Sequence, residues 1–301
     1  MSLFNPRKGI TAPILGLALL VSACGNSAST PANQPADTNA TATSGQQAAQ
    51  PQTTANTTSP DQFEEAVKAY HQFVIAQTDQ FVKDTQAFVD AIKANDMEKA
   101  KALYAPSRMY FERIEPIAES LGDFDPWIDA REGDVPANEW KGFHRLEKAL
   151  WQDKSLAGME PVADQLLQDV KMLRVKVEGV EIDAPMLVTG AVELLNEVSS
   201  SKVTGEEERY SHTDLYDFAA NVEGAYEIFK VLQPTVDAKN KELAAEIDKR
   251  FKELDATLQP YRKDGGYVLY TELKEDEVKK LSQAIDALAE PLSQIGTVVE
   301  G

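Results

Sequence analysis

Apolar residues recur every three or four positions through most of the chain after residue 60, which is the period of an amphipathic α-helix. Clusters of proline and glycine separate these segments. The pattern predicts helices at 61–95, 96–121, 138–153, 160–177, 184–200, 207–233, 235–259 and 274–296. Because no stretch alternates convincingly between apolar and polar positions, we expect an all-α protein.

Eight helices with short connections are typical of helical bundles. The segment 61–296 is long enough for one large domain or two small ones. We therefore predict a bilobal domain made of two four-helix bundles that lie side by side. Such an arrangement suggests a degenerate duplication, although the sequence shows no repeat of fixed period.

Residues 1–24 have the features of a secretory signal peptide. Positive residues near the start precede an apolar run at 14–21, which is too short for a permanent membrane span. Val21-Ser22-Ala23-Cys24 resembles the lipobox of bacterial lipoproteins, in which the cysteine is lipidated and becomes the N-terminus. Cys24 is the only cysteine, so a disulfide framework and a thiolate metal site are excluded. The alternative is a plain signal peptide with an incidental cysteine.

Residues 25–60 consist mainly of Ala, Thr, Asn, Gln, Ser and Pro, with Asp37 as their only charged residue. A segment of this composition cannot bury enough apolar surface to fold. We predict a disordered linker with a reach of roughly 30–35 Å, which holds the folded body away from a membrane. The expected location is therefore periplasmic, as a membrane-anchored lipoprotein.

The chain is acidic, with 49 Asp and Glu residues against 30 Lys and Arg residues and a net charge of −19. This charge argues against nucleic acid and against direct adhesion to anionic lipid, and it favours cations near the surface. Many soluble proteins are acidic as well, so the charge alone does not identify a site.

The clearest chemical signal lies in the predicted helix 138–153. Aromatic and aliphatic residues form one stripe there, and His144 and Glu147 lie within it. An ionisable pair in such surroundings is costly unless each member has a partner. A bound cation is one possible partner, because residues three apart on a helix can bind the same ion. A core histidine that is hydrogen-bonded to a neighbouring carboxylate is the alternative.

Carboxylates also gather upstream of this helix. Glu112 and Glu115 share one helical face, and Pro116 is expected to kink the helix that carries them. Asp129 is a candidate ligand, whereas Arg131 is better suited to clamp a carboxylate in place. A solvated, salt-bridged face is the alternative for the glutamates.

A second histidine, His212, begins another apolar stripe, and Glu208 lies one turn before it. The two residues are candidates for a second metal site or for a wall of the first. A helix-capping network that satisfies His212 is an equally good interpretation. His71 has no comparable acidic neighbours, and we assign it no role.

Five stretches together resemble the imelysin-like domain of the EfeO/EfeM family: 99–106, 110–119, 125–131, 142–147 and 205–215. The resemblance covers 61–296 and implies an all-helical domain of two four-helix bundles. It also implies periplasmic iron acquisition, in which an iron-binding protein passes iron to an Efe-type permease beside a haem peroxidase. Longer members carry a cupredoxin domain where this chain has only its linker, so the chain resembles the short EfeM type and a copper site is in doubt.

The resemblance also implies a ligand set. The family's Gly-x-His-x-x-Glu motif falls on Gly142, His144 and Glu147, with Glu112, Glu115 and Asp129 as completing ligands. One imidazole with several carboxylates suits iron, manganese or zinc, so the choice of iron rests on the resemblance. Because a ligand histidine must be neutral, we expect affinity to fall as the pH drops through about 6.5 toward 5.

Two other functions compete with metal delivery. One is a zinc-dependent peptidase of the imelysin type, and the other is an adhesin or scaffold without metal. The chain lacks His-Glu-x-x-His, and its three histidines and one cysteine do not form a recognisable Ser-His-Asp or Cys-His set. We therefore expect no enzymatic activity.

Overall fold

The computed structural model describes residues 60–300, and this part of the chain is predominantly helical, which confirms the predicted all-α class. The α-helices are α1 (Pro60–Lys93), α2 (Met97–Glu112), α3 (Ala118–Leu121), α4 (Phe124–Asp129), α5 (Phe143–Lys148), α6 (Glu160–Glu178), α7 (Ala184–Ser200), α8 (Asp214–Lys239), α9 (Lys241–Leu258), α10 (Glu275–Ser293) and α11 (Ile295–Glu300). A π-helical turn, Ala149–Asp153, extends α5, and 3-10 turns lie at Glu115–Ile117, Lys202–Thr204, Gln259–Tyr261 and Tyr270–Glu272.

A small antiparallel hairpin follows α9. Its strands are β1 (Arg262–Lys263) and β2 (Gly266–Tyr267). Asp264 and Gly265 connect them with φ values of 50° and 81°, as a two-residue turn of type I′ requires. The sequence predicts only a connection between two helices here, so the strands were not predicted.

The second lobe is a closed four-helix bundle. Helix α7 packs against α8 and α10, and α9 packs against the same two helices. Asp183 and Asn240 cap α7 and α9, because their side chains accept hydrogen bonds from backbone amides in the first turn of each helix. This lobe agrees with the predicted bundle.

The first lobe is less regular. The long helix α1 packs against α2 and α6, and the short helices α4 and α5 lie against α6 in the fourth position. Its core is aromatic: Phe143 at the start of α5 lies 5.5 Å from Phe88 and 5.8 Å from Phe81 of α1, measured between ring centroids. These contacts fix the position of α5, and therefore of the residues that follow Phe143.

The two lobes meet where α2 crosses α8. A Cβ atom at Gly224 would lie only 2.3 Å from the carbonyl oxygen of Arg113, so the two backbones could not approach this closely with a larger residue. The close approach lets the buried side chains of α8 reach those of α2.

Four predicted helices differ from the structure by more than three residues at one end or both. One of them, predicted at 235–259, begins only at Lys241 because α8 runs on to Lys239. The helix predicted at 96–121 ends at Glu112, because Pro116 lacks an amide donor and its ring blocks the helical path. The one predicted at 138–153 begins only at Phe143, after Gly142 with a φ of 84°. The one predicted at 207–233 begins at Asp214 and runs on to Lys239, so His212 precedes the helix and does not belong to its stripe.

Candidate metal centre

The centre depends on how closely α5 approaches α4. Gly142 lies directly before α5, and a Cβ atom there would be 2.3 Å from the carbonyl oxygen of Ile128. A glycine is therefore required both by the positive φ and by the contact. This contact brings His144, in the first turn of α5, next to Asp129 at the end of α4.

His144 is buried, with 1% of its surface exposed. Its Nδ1 atom lies 3.2 Å from Glu147 Oε2 and 3.4 Å from the hydroxyl of Tyr104. Within residues 60–300, its Nε2 atom has no hydrogen-bond partner. The nearest acidic atoms to Nε2 are Asp129 Oδ1 at 3.6 Å and Glu207 Oε1 at 3.8 Å.

Those distances are close to what one bound ion needs. Two ligands about 2.1 Å from a metal at angles of 90–110° are roughly 3.0–3.4 Å apart. Asp129, His144 and Glu207 offer ligand atoms that all lie within 4.8 Å of one another, and so do His144, Glu147 and Glu208. We call these five residues the His144 cluster. Small shifts of these side chains would bring the ring nitrogen and the two carboxylates to the separations that one bound cation needs.

Two members of the cluster come from the turns between α7 and α8. Arg131 Nη1 donates to Glu207 Oε2 at 2.9 Å. Glu208 accepts from Ser211 Oγ at 2.8 Å. The segment also holds Glu147, whose Oε1 accepts from the backbone amides of residues 210 and 211 at 2.9 and 2.8 Å.

Arg108 of α2 neutralises the carboxylates behind the cluster. It is 1% exposed, and its Nε atom lies 2.7 Å from Glu208 Oε1 and 3.2 Å from Asp217 Oδ1. Its Nη2 atom donates to Glu112 Oε1 at 2.6 Å, and its Nη1 atom donates to Asp129. One guanidinium thus compensates four buried acids, which would otherwise repel each other.

Glu112 and Glu115 do not join His144. The ammonium of Lys202 lies 3.2 Å from Glu112 Oε2 and 2.8 Å from both carboxylate oxygens of Glu115. The Nδ2 atom of Asn221 donates to Glu112 at 3.0 Å and to Glu115 at 2.7 Å. We call these four residues the Lys202 cluster. The family resemblance implies that Glu112 and Glu115 are metal ligands, but in the structure both form ion pairs with Lys202.

The surroundings of His144 shift its proton equilibrium. Burial and Arg108 act to lower the pKa of His144, but the carboxylates of Glu147, Glu207 and Asp129 outweigh them and raise it to about 10.

Burial and the charge of Glu147 raise the pKa of Glu208 to about 8, against the effect of Arg108. Burial works in the same direction on Glu207, yet Lys202, His144 and Arg131 hold its pKa below the usual range. The cluster therefore holds a proton that an incoming cation has to displace.

A cavity of about 420 Å³ opens onto both clusters. Asp129 and Glu207 line it from one cluster, and Glu115 and Lys202 line it from the other. Seven of the lining residues are acidic and two are basic. Such a lining attracts cations toward the centre.

The remaining sequence-based candidates lie elsewhere. His212 has a φ of 58° and its carbonyl oxygen accepts from the amide of Tyr270. In the described part of the chain, no group of three or more possible ligands includes His212, whereas Glu208 belongs to the His144 cluster. His71 contacts the carbonyl oxygen of Val177 at 2.7 Å. Cys24 and the predicted linker lie outside the described residues.

The sequence did not point to Glu207, which lies beside His144 Nε2, or to Lys202, which pairs with Glu112 and Glu115. Glu207 follows a 3-10 turn and Gly205, whose φ is 78°, so helical periodicity gives it no signal. The available signal was the acidic run 206–208 directly after a glycine, which the resemblance included without assigning Glu207 a role.

The fold and the centre together define an all-helical protein with a buried cluster of one histidine and four carboxylates that suits a cation. Among residues 60–300, no helix is both long and apolar enough to cross a membrane. A family model described as imelysin, a peptidase family by title, matches residues 66–295. An Efem/EfeO family lipoprotein of Staphylococcus haemolyticus is 41% identical over 298 residues, which cover 97% of this chain and 100% of the relative.

A second relative, an Efem/EfeO family lipoprotein of Staphylococcus aureus, is 44% identical over 245 residues, which cover 79% of this chain and 86% of the relative. The chain therefore belongs to the imelysin family and, within it, to the EfeM/EfeO group, which confirms the resemblance drawn from its motifs.

Proposed function

We propose that this protein captures iron outside the cytoplasm and delivers it to an Efe-type iron permease. The observation that carries the proposal is the unpartnered Nε2 atom of His144, which is buried and faces Asp129 and Glu207. A buried ring nitrogen without a partner is costly, and a bound cation would remove that cost.

The donor set defines which cations fit. One imidazole nitrogen and hard carboxylate oxygens suit iron, manganese and zinc, and they do not suit cuprous copper. In our proposal His144, Asp129 and Glu207 bind the ion, while Glu147 orients the ring from its Nδ1 side. Iron is chosen over zinc because the chain belongs to the EfeM/EfeO group, and not because of its ligands.

Capture and release also need a path for the ion. The acidic cavity provides one, because it leads from the surface to Asp129 and Glu207. A cleft with an excess of one charge raises the local concentration of the opposite ion. The cavity therefore supports a role in collecting cations and handing them on.

Location and partners follow from the family. The relatives are named lipoproteins, and we propose that Cys24 is lipidated and that residues 25–60 tether the body, residues 61–296, to a periplasmic membrane surface. The permease, with a haem peroxidase beside it, would take the iron from the tethered protein. A tether of this length allows the cavity to reach a membrane partner without leaving the anchor.

We further propose that the protein is not an enzyme, although the family model has a peptidase title. His144, Glu147 and Glu208 are each at most 1% exposed, which leaves little access for a polypeptide. A metal-free adhesin or scaffold would give the Nε2 atom of His144 no role beyond a long ion pair with Asp129 and Glu207.

Isothermal titration of the full chain in detergent tests the proposal, with anaerobic ferrous iron, ferric citrate and zinc as separate titrants. We expect wild type to bind iron and His144→Ala to bind it at least about a hundredfold more weakly, a loss of about 2.7 kcal/mol. His71→Ala is the matched control, because His71 contacts a backbone carbonyl away from the cluster. Circular dichroism verifies that both variants fold.

Two results would contradict the proposal. Unchanged affinity in His144→Ala would mean that His144 is not a ligand. If wild type binds no metal, the result would favour the metal-free scaffold. A zinc-loaded chain that cleaves unfolded protein, with cleavage lost in His144→Ala, would instead support the peptidase.

A further inference from the structure

Lys202 is an unusually buried lysine. It lies on the 3-10 turn between α7 and α8, and 5% of its surface is exposed. Its ammonium is surrounded by three carboxylate oxygens, one from Glu112 and two from Glu115, at 2.8–3.2 Å. Oxygen atoms of two carboxylates around one positive charge are also the surroundings of a hard metal cation.

The side chain of Asn221 can adapt to a metal cation in the Lys202 cluster. Its Nδ2 atom donates to both glutamates, whereas its buried Oδ1 atom has no hydrogen-bond partner in the described residues. Rotation of the amide by half a turn would direct Oδ1 toward the glutamates. The side chain can thus offer an oxygen to a cation that replaces the ammonium.

The Lys202 cluster and the His144 cluster share one cavity. Glu115 and Lys202 line it together with Asp129 and Glu207. An ion that enters the cavity therefore meets two sets of carboxylates. In the Lys202 cluster the positive charge between them belongs to a side chain that pairs with both glutamates.

We propose that the Lys202 ammonium is a built-in cation that fills a second cation position of this cavity and so limits the protein to one metal ion per chain. The inference deepens the proposed function, and its count of one ion rests on binding at His144. A metal cannot simply add to the Lys202 cluster, because it would have to expel a positive charge that is covalently attached and buried. The imidazole of His144 differs because it can lose its proton and become a ligand.

The test counts ions by isothermal titration of the full chain, with manganese(II) as the only metal. We expect one ion in wild type and two in Lys202→Met, which keeps the length of the side chain and removes the charge. Lys93→Met is the matched control: it removes one positive charge from an exposed ion pair with Asp164, and we expect it to keep one ion. Two ions in wild type, or no more ions in Lys202→Met than in wild type, would overturn the inference.

Double variants assign the two ions. In Lys202→Met, an added His144→Ala should remove the first ion and leave the second, and an added Glu115→Gln should do the reverse. If wild type binds no manganese, the proposed function fails in this assay, yet one ion in Lys202→Met that resists His144→Ala still supports the inference.

A further variant covers the case in which Lys202→Met does not fold. Glu115→Gln in the wild-type chain keeps the lysine and removes one of its two acidic partners. We expect the affinity for the single ion to stay within about threefold, since Glu115 serves the ammonium and not the metal. A loss of tenfold or more would make Glu115 a ligand of the first ion and overturn the inference.

Discussion

The His144 cluster and the Lys202 cluster consist of similar parts and have opposite properties. The His144 cluster comes from α4, α5 and the turns that precede α8, and the Lys202 cluster comes from α2, α8 and the 3-10 turns that follow α2 and α7. Both clusters place carboxylates around one nitrogen base. In the Lys202 cluster the ammonium meets three carboxylate oxygens at 2.8–3.2 Å. In the His144 cluster, as far as residues 60–300 show, the Nε2 atom has no such partner.

The difference shows that carboxylates alone do not make a metal centre. A lysine keeps its proton in acidic surroundings, so it completes an ion pair and leaves the carboxylates occupied. A histidine can give up its proton and then offers a lone pair to a metal. What separates a closed ion pair from an open centre is therefore whether the base between the acids can become a ligand.

The largest effect on stability is expected from the removal of Arg108, which contacts both clusters. Arg108→Met leaves buried carboxylates of α2, α4 and α8 without their shared positive charge. We expect the free energy of unfolding to fall by about 3–5 kcal/mol, measured by urea denaturation at pH 7.

Arg113→Met is the control for this variant. Arg113 follows α2 directly and pairs with Glu223 at 2.7 Å, with both side chains partly exposed. Removal of such a pair is expected to cost about 1 kcal/mol or less. Equal losses in the two variants would mean that Arg108 does not hold the acids together.

Alkaline pH should separate the clusters, because His144 can lose its proton while Lys202 stays charged. The pKa of His144 is raised from 6.5 to about 10. The stabilisation from its proton is therefore complete below pH 6.5 and is lost as the pH rises through about 10. We expect the metal-free protein to lose about 3 kcal/mol of unfolding free energy between pH 7 and 10.

Urea denaturation at fixed pH values measures this loss, with His144→Gln as the reference that lacks the titrating ring. Glu208, with a pKa of about 8, contributes in the same direction in both proteins. Parallel curves for wild type and His144→Gln would contradict the prediction. Because the pKa of His144 is raised, protons already compete with the metal above pH 6.5. The competition continues through the range of pH 6.5 to 5 in which the sequence predicts a loss of affinity.

The fold class could be predicted from the sequence because helical periodicity is a local property of the chain. The residues at which the helices begin and end were harder to predict. Prolines and glycines end helices in ways that depend on their neighbours, as Pro116 and Gly142 illustrate. The short helix α4 was missed because the sequence reads there as a turn with a proline.

The centre could be predicted only in part. His144 and Glu147 are one helical turn apart, so local spacing was informative for this pair. The partners of Glu112 and Glu115 were not accessible, because Lys202 reaches them across 87 to 90 residues of sequence. Which acid pairs with which base is decided by tertiary packing, and the chain itself gives no periodic signal for it.

The mildest change that should affect one cluster and spare the other is Gly142→Ala. The added Cβ would lie 2.3 Å from the carbonyl oxygen of Ile128, so α5 has to move away from α4 and His144 has to move away from Asp129. We expect metal affinity to fall about tenfold, or about 1.4 kcal/mol, while the ion pair of Lys202 stays intact.

Gly158→Ala is the matched control, because Gly158 also has a positive φ, 77°, but has open space around its Cβ position. Both variants carry the backbone cost of alanine at positive φ, about 1 kcal/mol. Only the clash at Gly142 disturbs the distance between His144 and Asp129. If titration calorimetry shows the same affinity for the two variants, the close approach of α5 to α4 does not set the geometry of the centre, and the ligand atoms of His144 must be positioned by the aromatic contacts of Phe143 instead.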